Sequence, residues 1–286
     1  MRKLNRPIVW TLAAVTIAGA VASAQKRTTV FVTVVAPPSG ALATLNAKDF
    51  VARGGEIANA VHADEPLSIE LIVDVSRPLV GVNPPIEELR TGLQAFVKAI
   101  RDGEPSARIG MIEVAGAAVP RVKLGEPAAA LDKAVGSVAP GPDMGGAVLV
   151  EAVQEASGML ANEPAPRRAI VSVDFATSDP VPEGAVDRMA KDVYKTGVSL
   201  WAVSARGSAQ ETLSRENALN AIIKNNGGLR VVIVEATGLK TQLQMVAYSL
   251  LSQYELTIAG VDPQHVRDVK LSTAGGAKVV PSLFAR

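Results

Sequence analysis

The chain has 286 residues, of which 48% are apolar and 20% charged, and its formal net charge is +1. These values are typical of a globular protein with one large domain, or with one medium domain and a small partner. The near-zero charge gives no electrostatic reason to expect nucleic acid or an anionic membrane as a partner. Aromatic residues make up only 3% of the chain, which argues against a base-stacking surface.

The absence of cysteine excludes several kinds of chemistry. Disulfides, thiol catalysis, cysteine-rich zinc sites and a lipid-modified N-terminal cysteine all require this residue. The chain has two histidines, His62 and His265, and neither lies in a recognisable catalytic motif.

Residues 1–24 have the layout of a secretory signal peptide. The start is basic (Arg2, Lys3 and Arg6), residues 8–21 are almost wholly apolar, and residues 22–24 form a small-x-small cleavage site. An uncleaved anchor helix is the alternative, but the apolar run of about 14 residues is shorter than the roughly 20 that span a bilayer. We therefore expect export, with a periplasmic or secreted mature chain that has no membrane span.

Both flanks of the mature chain are predicted to be β-rich. Residues 28–36 alternate and are rich in Val, Thr and Phe, and residues 50–61 hold one or two short strands around Gly54 and Gly55. The tail has three further strand-like segments, at 254–259, 266–272 and 278–284. Because lone hairpins are marginal in water, we expect the two flanks to pair into one small β unit.

Between the flanks, strands and helices alternate. Residues 67–73 form a near-continuous apolar run, which is typical of a strand covered on both faces. Further strands are predicted at 108–114, 118–123, 169–173, 198–204 and 229–234, and helices at 86–100, 128–138, 146–160, 183–196, 214–224 and 239–251. This alternation predicts an open, mostly parallel, doubly wound α/β sheet. The expected parts are a signal peptide (1–24), an N-terminal β segment (25–64), an α/β domain (65–251) and a C-terminal β segment (252–286).

Polar residues follow two of the predicted central strands. Asp74, with Ser76 two residues on, follows the strand at 67–73, and Asp174 follows the strand at 169–173. A glycine-rich stretch that ends at Gly146 opens a predicted helix. Because function in open parallel sheets concentrates at the carboxyl ends of the strands, we expect these segments to meet at one edge.

This ordered set resembles a von Willebrand factor type A (vWA) domain. The flanks resemble those of exported bacterial proteins that carry this domain between β segments. Residues 45–50, LNAKDF, are similar to a leading L-t-x-x-D-F segment, and residues 252–256, SQYEL, to an S-Q-Y-x-L strand near the end. The similarity runs from about residue 28 to the end of the chain. It implies a Rossmann-like α/β fold and a role in protein–protein interaction.

Members of this family often carry a metal-ion-dependent adhesion site. Asp-x-Ser-x-Ser on one loop, a Thr on a second and an Asp on a third bind Mg²⁺, a hard cation that prefers oxygen ligands. Asp74, Ser76 and Asp174 match this pattern, whereas the second serine falls on Pro78 and the threonine on Gly146, which have no side-chain oxygen. The resemblance therefore implies a degenerate site with low metal occupancy and no cofactor. Mg²⁺ bound through the three matching residues is the alternative.

Other residues of these loops are further candidates. Asp143, three residues before Gly146, is a possible substitute ligand. Arg77 is a candidate for neutralising Asp74 and Asp174 without a metal, since two like charges brought together would otherwise raise the pKa of one of them. The expected partner-binding face consists of Arg77, Asp143, Gly145 and Gly146. In a purely structural interpretation, the aspartates only cap loops and helix N-termini.

Three functions are open on this sequence. A binding or scaffolding module for an unknown protein partner needs only a rigid sheet and variable loops. An exported α/β hydrolase would need a Gly-x-Ser-x-Gly nucleophile elbow, and the sequence has none. A periplasmic small-ligand receptor usually has two similar α/β lobes, and this sequence shows one. We predict the first function, with no enzymatic activity and no nucleic-acid partner.

Overall fold

The structure is a computed structural model that describes residues 26–37, 39–40, 44–76, 86–139, 146–175, 178–179, 181, 183–205, 213–234 and 236–285. The signal peptide predicted at 1–24 lies outside these residues. None of the helices in the described part of the chain has both the length and the apolar character that crossing a membrane requires.

Within these residues the chain forms twelve strands and six α-helices. The strands are β1 (Arg27–Val34), β2 (Phe50–Arg53), β3 (Glu56–His62), β4 (Leu67–Asp74), β5 (Arg108–Val114), β6 (Ala118–Val122), β7 (Arg167–Phe175), β8 (Ser199–Ala205), β9 (Gly228–Ile233), β10 (Gln253–Ala259), β11 (Lys270–Thr273) and β12 (Val279–Ala285). The helices are α1 (Ile86–Gly103), α2 (Ala128–Gly136), α3 (Leu149–Ala161), α4 (Val186–Lys195), α5 (Leu213–Asn226) and α6 (Leu239–Leu250).

A six-stranded sheet with the order β6-β5-β4-β7-β8-β9 forms the centre of the molecule. Neighbouring strands are parallel, except that β6 runs antiparallel to β5 at one edge. Pro120 lies on this edge strand, the position in a sheet that tolerates a residue without an N–H group. The predicted open, mostly parallel α/β sheet is confirmed.

Helices cover both faces of this sheet. On one face, Leu67, Ile69 and Leu71 of β4 pack with apolar residues of α1, α2 and α6. On the other face, Ile72 packs with apolar residues of α3, α4 and α5. Strand β4 is buried along its whole length, which explains why its sequence shows an apolar run rather than strict alternation.

Helix α3 begins at Leu149, three residues later than predicted. The backbone N–H groups of Ala147 and Val148 donate to the carbonyl oxygens of Ser178 (2.8 Å) and Ala115 (3.0 Å). These bonds tie the chain before α3 to the segments that follow β7 and β5 instead of to a first helical turn. The start of α3 is therefore fixed at the carboxyl edge of the sheet.

The two flanks pair with each other. One antiparallel sheet has the order β12-β1-β10-β3, and β2 pairs with β11. Tyr254 packs edge-on against Phe50 with ring centroids 5.3 Å apart, and its hydroxyl accepts a hydrogen bond from the N–H of Leu45 (3.0 Å). The two motif segments at 45–50 and 252–256 therefore share one core. The predicted pairing of the flanks is confirmed, while the domain boundaries stay a prediction.

A buried arginine joins this β unit to the central sheet. Arg167, the first residue of β7, donates from Nε to Gln253 (2.8 Å), from Nη1 to Glu104 (2.8 Å) and from Nη2 to the carbonyl of Leu250 (3.0 Å). Gln253 in turn donates to the hydroxyl of Thr33 (3.0 Å). These contacts lie at the amino ends of the central strands, so they do not involve the carboxyl ends of those strands.

Candidate functional site

Asp74 is the last residue of β4, and its side chain is fully buried. Its Oδ1 accepts hydrogen bonds from the backbone N–H (2.9 Å) and the hydroxyl of Ser76. Its Oδ2 accepts one from the N–H of Phe175 at the end of β7 (3.1 Å). Both carboxylate oxygens are used within the protein, and they tie the ends of two neighbouring strands together.

Asp174 lies beside Asp74 on the adjacent parallel strand. Its Oδ2 accepts a hydrogen bond from the hydroxyl of Ser204 on β8 (2.7 Å). Its Oδ1 lies 3.2 Å from Nη2 of Arg215, in an ion pair that lacks the alignment of a hydrogen bond. The side chains of Asp174 and Arg215 are 0% and 1% exposed, so this pair is buried in the protein.

A second arginine reaches the same carboxylate through Ser204. Arg230 on β9 donates from Nε to the Ser204 hydroxyl (3.0 Å) and from Nη1 to Glu216 (3.2 Å). Burial raises the pKa of Asp174, and the charge of Asp74 adds to the rise. Arg215, the Ser204 hydrogen bond and Arg230 all oppose it. The ionised form of Asp174 is therefore stabilised by groups from β8, α5 and β9.

Asp179 is a third carboxylate at this edge, and its side chain is also buried. Its Oδ2 accepts a hydrogen bond from the N–H of Val150 in the first turn of α3 (2.9 Å). Burial raises the pKa of Asp179 to about 6, with a further contribution from Asp74. The bond from Val150 and the charge of Arg215 lower it. Arg215 thus acts on two carboxylates, Asp174 and Asp179.

Gly146 lies against the backbone of the segment that follows β7. A β-carbon on Gly146 would stand 2.6 Å from the carbonyl oxygen of Ser178. That oxygen also accepts the hydrogen bond from Ala147 (2.8 Å), which holds it in place. No side chain fits at position 146 unless this segment moves.

No protein-family model matches the sequence, and no curated protein matches it. Solved structures do match. A von Willebrand factor type A protein from Catenulispora acidiphila is similar over 93% of this chain and 74% of its own, with a TM-score of 0.53 and 11% identity. The chain has the vWA fold.

Two further solved structures share this fold. The pilus adhesin SpaC from Lactobacillus rhamnosus GG is similar over 74% of this chain and 34% of its own, with a TM-score of 0.52 and 15% identity. The PilB minor pilin from Streptococcus sanguinis is similar over 67% of this chain and 63% of its own, with a TM-score of 0.52 and 8% identity. At these identities the likeness is one of fold.

At the position where the family carries its metal, the described residues of this vWA-like fold do not fit a divalent cation. The carboxylate oxygens of Asp74 and Asp174 already face hydrogen-bond donors or Arg215. Position 146, where the family has its threonine, is closed by the Ser178 carbonyl. Within the described residues, no three acidic or histidine side chains are grouped so that they could hold a metal ion. Mg²⁺ needs several open oxygen ligands, which the described part of this edge does not offer.

The predicted site residues divide into two groups. Asp74, Ser76, Asp174 and Gly146 lie at the carboxyl edge of the vWA sheet. Arg77, Asp143 and Gly145 lie outside the described residues, as does Pro78. Among the described residues, Arg215 pairs with Asp174, and the neutralising role that adjacency suggested for Arg77 stays a prediction.

Sequence reasoning missed three residues of this site: Asp179, Arg215 and Arg230. Arg215 stands in the first turn of α5, where the helix dipole disfavours a cation. Arg230 is the one charged residue of β9. The placement of Arg215 is unfavourable without an acidic partner, and this was the available signal. Arg230 gave no such signal, because β9 is an edge strand, where charged residues are common. Asp179 gave none, because it follows a strand end by several residues.

Proposed function

We propose that this chain is an exported vWA module that binds a protein partner as a scaffolding element, without catalysis and without a bound metal. The buried contact between Asp174 and Arg215 carries this proposal. Arg215 neutralises the carboxylate of Asp174 within the protein, so the edge of the sheet needs no metal ion. Specificity for the partner then comes from the surrounding loops. A partner then needs no carboxylate to complete a metal shell.

The comparisons support binding over catalysis. Two of the structures that share the fold are named as a pilus adhesin and a minor pilin. The two histidines lie in the flanking β unit, where His62 contacts the carbonyl of Leu251 (2.9 Å) and His265 pairs with Asp268 (3.2 Å). Neither supplies a general base to the hydroxyl groups at the carboxyl edge of the sheet.

We expect the partner at this carboxyl edge, on a face that includes Gly146 and the residues Arg77, Asp143 and Gly145. Ala117 lies in the turn after β5, at the same edge, and its side chain is exposed. It is therefore a suitable position for a probe of this face. Export through residues 1–24 would present this face in the periplasm or outside the cell.

Site-specific photo-crosslinking in the producing cell tests the proposal. A crosslinking amino acid at position 117 should capture one protein, with and without a chelator of divalent cations. The matched control is position 129 at the start of α2, where Ala129 is also exposed but lies near the amino ends of the strands. In an affinity pull-down of the captured protein, Ala117→Arg should abolish binding and Ala129→Arg should not.

Three results would count against this function. Equal crosslinking from positions 117 and 129 would remove the carboxyl edge as the partner face. Robust turnover of ester, phosphate or glycoside substrates would favour an exported hydrolase. Capture that disappears with the chelator would support metal-dependent adhesion through Asp74, Ser76 and Asp174 instead.

A further inference from the structure

Arg215 is a cation in a place that does not favour one. It lies in the first turn of α5, where the aligned peptide dipoles repel positive charge. Its side chain is 1% exposed, and burying a guanidinium is unfavourable unless carboxylates pair with it. The pairing with Asp174 at 3.2 Å meets that requirement.

The carboxylates around Arg215 need a cation in turn. Asp74, Asp174 and Asp179 are all buried, and the charge of Asp74 acts on both of the others. A buried carboxylate that lies near another negative charge stays ionised only if positive charge lies beside it. Arg215 acts on Asp174 and Asp179, and Arg230 supports the second oxygen of Asp174 through Ser204.

We infer that the Arg215 guanidinium is the built-in cation of this site, neutralising Asp174 and fastening the start of α5 to the end of β7. Arg215 is a positioning residue in this role, since it acts through the aspartates. The inference rests on the metal-free part of the proposed function but does not require that a partner exists.

A rescue experiment on the purified mature chain tests this inference. Arg215→Met leaves Asp174 buried without its cation and should lower the melting temperature by roughly 10 °C. Adding Asp174→Asn to the same chain removes the uncompensated charge and should recover most of that loss, because the two residues are directly coupled.

Arg167 provides the matched control. It is as buried as Arg215 and pairs with Glu104 (2.8 Å). Arg167 lies at the start of β7, the strand that carries Asp174 at its other end. Arg167→Met should also lower the melting temperature, but Asp174→Asn should not recover it. Recovery in both backgrounds, or in neither, would overturn the inference.

A metal titration provides the second readout. The melting temperature of the wild-type chain should be the same with a chelator and with millimolar MgCl₂ or MnCl₂. Metal-dependent stabilisation that disappears in Asp174→Asn would show that a metal, not Arg215, is the cation. If Arg215→Met does not fold, the double variant decides: its folding supports the inference, and its failure where Asp174→Asn alone folds overturns it.

Discussion

The carboxyl group of Glu70 lies directly over Gly110, its register partner on the next strand. A β-carbon on Gly110 would stand 2.5 Å from either carboxyl oxygen. Glu70 is 2% exposed, and its Oε2 has no hydrogen-bond partner among the described residues. Burial, together with the charges of Glu163 and Glu155, raises the pKa of Glu70 to about 8. Glu70 is therefore protonated at neutral pH, the form that the interior of the sheet tolerates.

Replacing Glu70 by Gln should flatten the pH dependence of stability. The folded-state pKa of about 8 lies above the ordinary value of 4.5, so the folded state binds the extra proton between these values. The stabilising contribution of this proton is fully present below the lower value. It is lost as pH rises through the folded pKa, which lowers the free energy of unfolding by at most ~1.4 kcal/mol per pH unit. Glu70→Gln has no such proton to lose. Urea unfolding across this pH range should show a smaller decline than in the wild type, and parallel curves would contradict the prediction.

Gly110→Ala should destabilise the protein through its clash with Glu70. Overpacking of this kind costs about 1–3 kcal/mol in the free energy of unfolding. In a Glu70→Ala background the clash is absent, so the cost should shrink. Gly158→Ala is the control: Gly158 lies in α3 with nothing within 4 Å of an added β-carbon, and a gain of up to ~1 kcal/mol is expected. An equal cost of Gly110→Ala in both backgrounds would show that Glu70 is not the obstacle.

The sequence predicts the sheet and the meeting of Asp74 with Asp174, because both depend on local patterns. An apolar run followed by an aspartate marks a strand end, and parallel strands end at one edge. The contact of Asp174 with Arg215 depends instead on how far the start of α5 reaches beyond that edge, which no local pattern encodes. Glu70 was hidden for a related reason: only the glycine opposite, on another strand, gives its carboxyl group room.

Asp179→Ala should destabilise the start of α3. It removes the acceptor for the Val150 N–H, and the loss of a helix cap costs about 1–2 kcal/mol. Asp179→Asn keeps an acceptor oxygen and should lose less. Because the folded pKa of Asp179 is about 6, above the ordinary 3.8, the wild type loses stability as pH rises between these values and Asp179→Asn does not. Thermal unfolding at both ends of this range measures the two effects.

The control for this prediction is Asp187→Ala. Asp187 lies in the first turn of α4 and is exposed, so its removal should change stability by no more than ~0.5 kcal/mol. If Asp179→Ala costs as little as Asp187→Ala, the Asp179 carboxylate does not hold α3.

Gln253→Ala should weaken the joint between the β unit and the vWA sheet. The amide of Gln253 accepts from Arg167 Nε (2.8 Å) and donates to the Thr33 hydroxyl (3.0 Å), so its loss removes one hydrogen bond from each of two buried side chains. We expect the free energy of unfolding to fall by about 1–3 kcal/mol, because an unsatisfied buried group loses its hydration without compensation. Gln264→Ala, at an exposed position in the same C-terminal segment, should have almost no effect. Chemical denaturation of both variants measures the difference, and equal stabilities would mean that Arg167 holds the joint without Gln253.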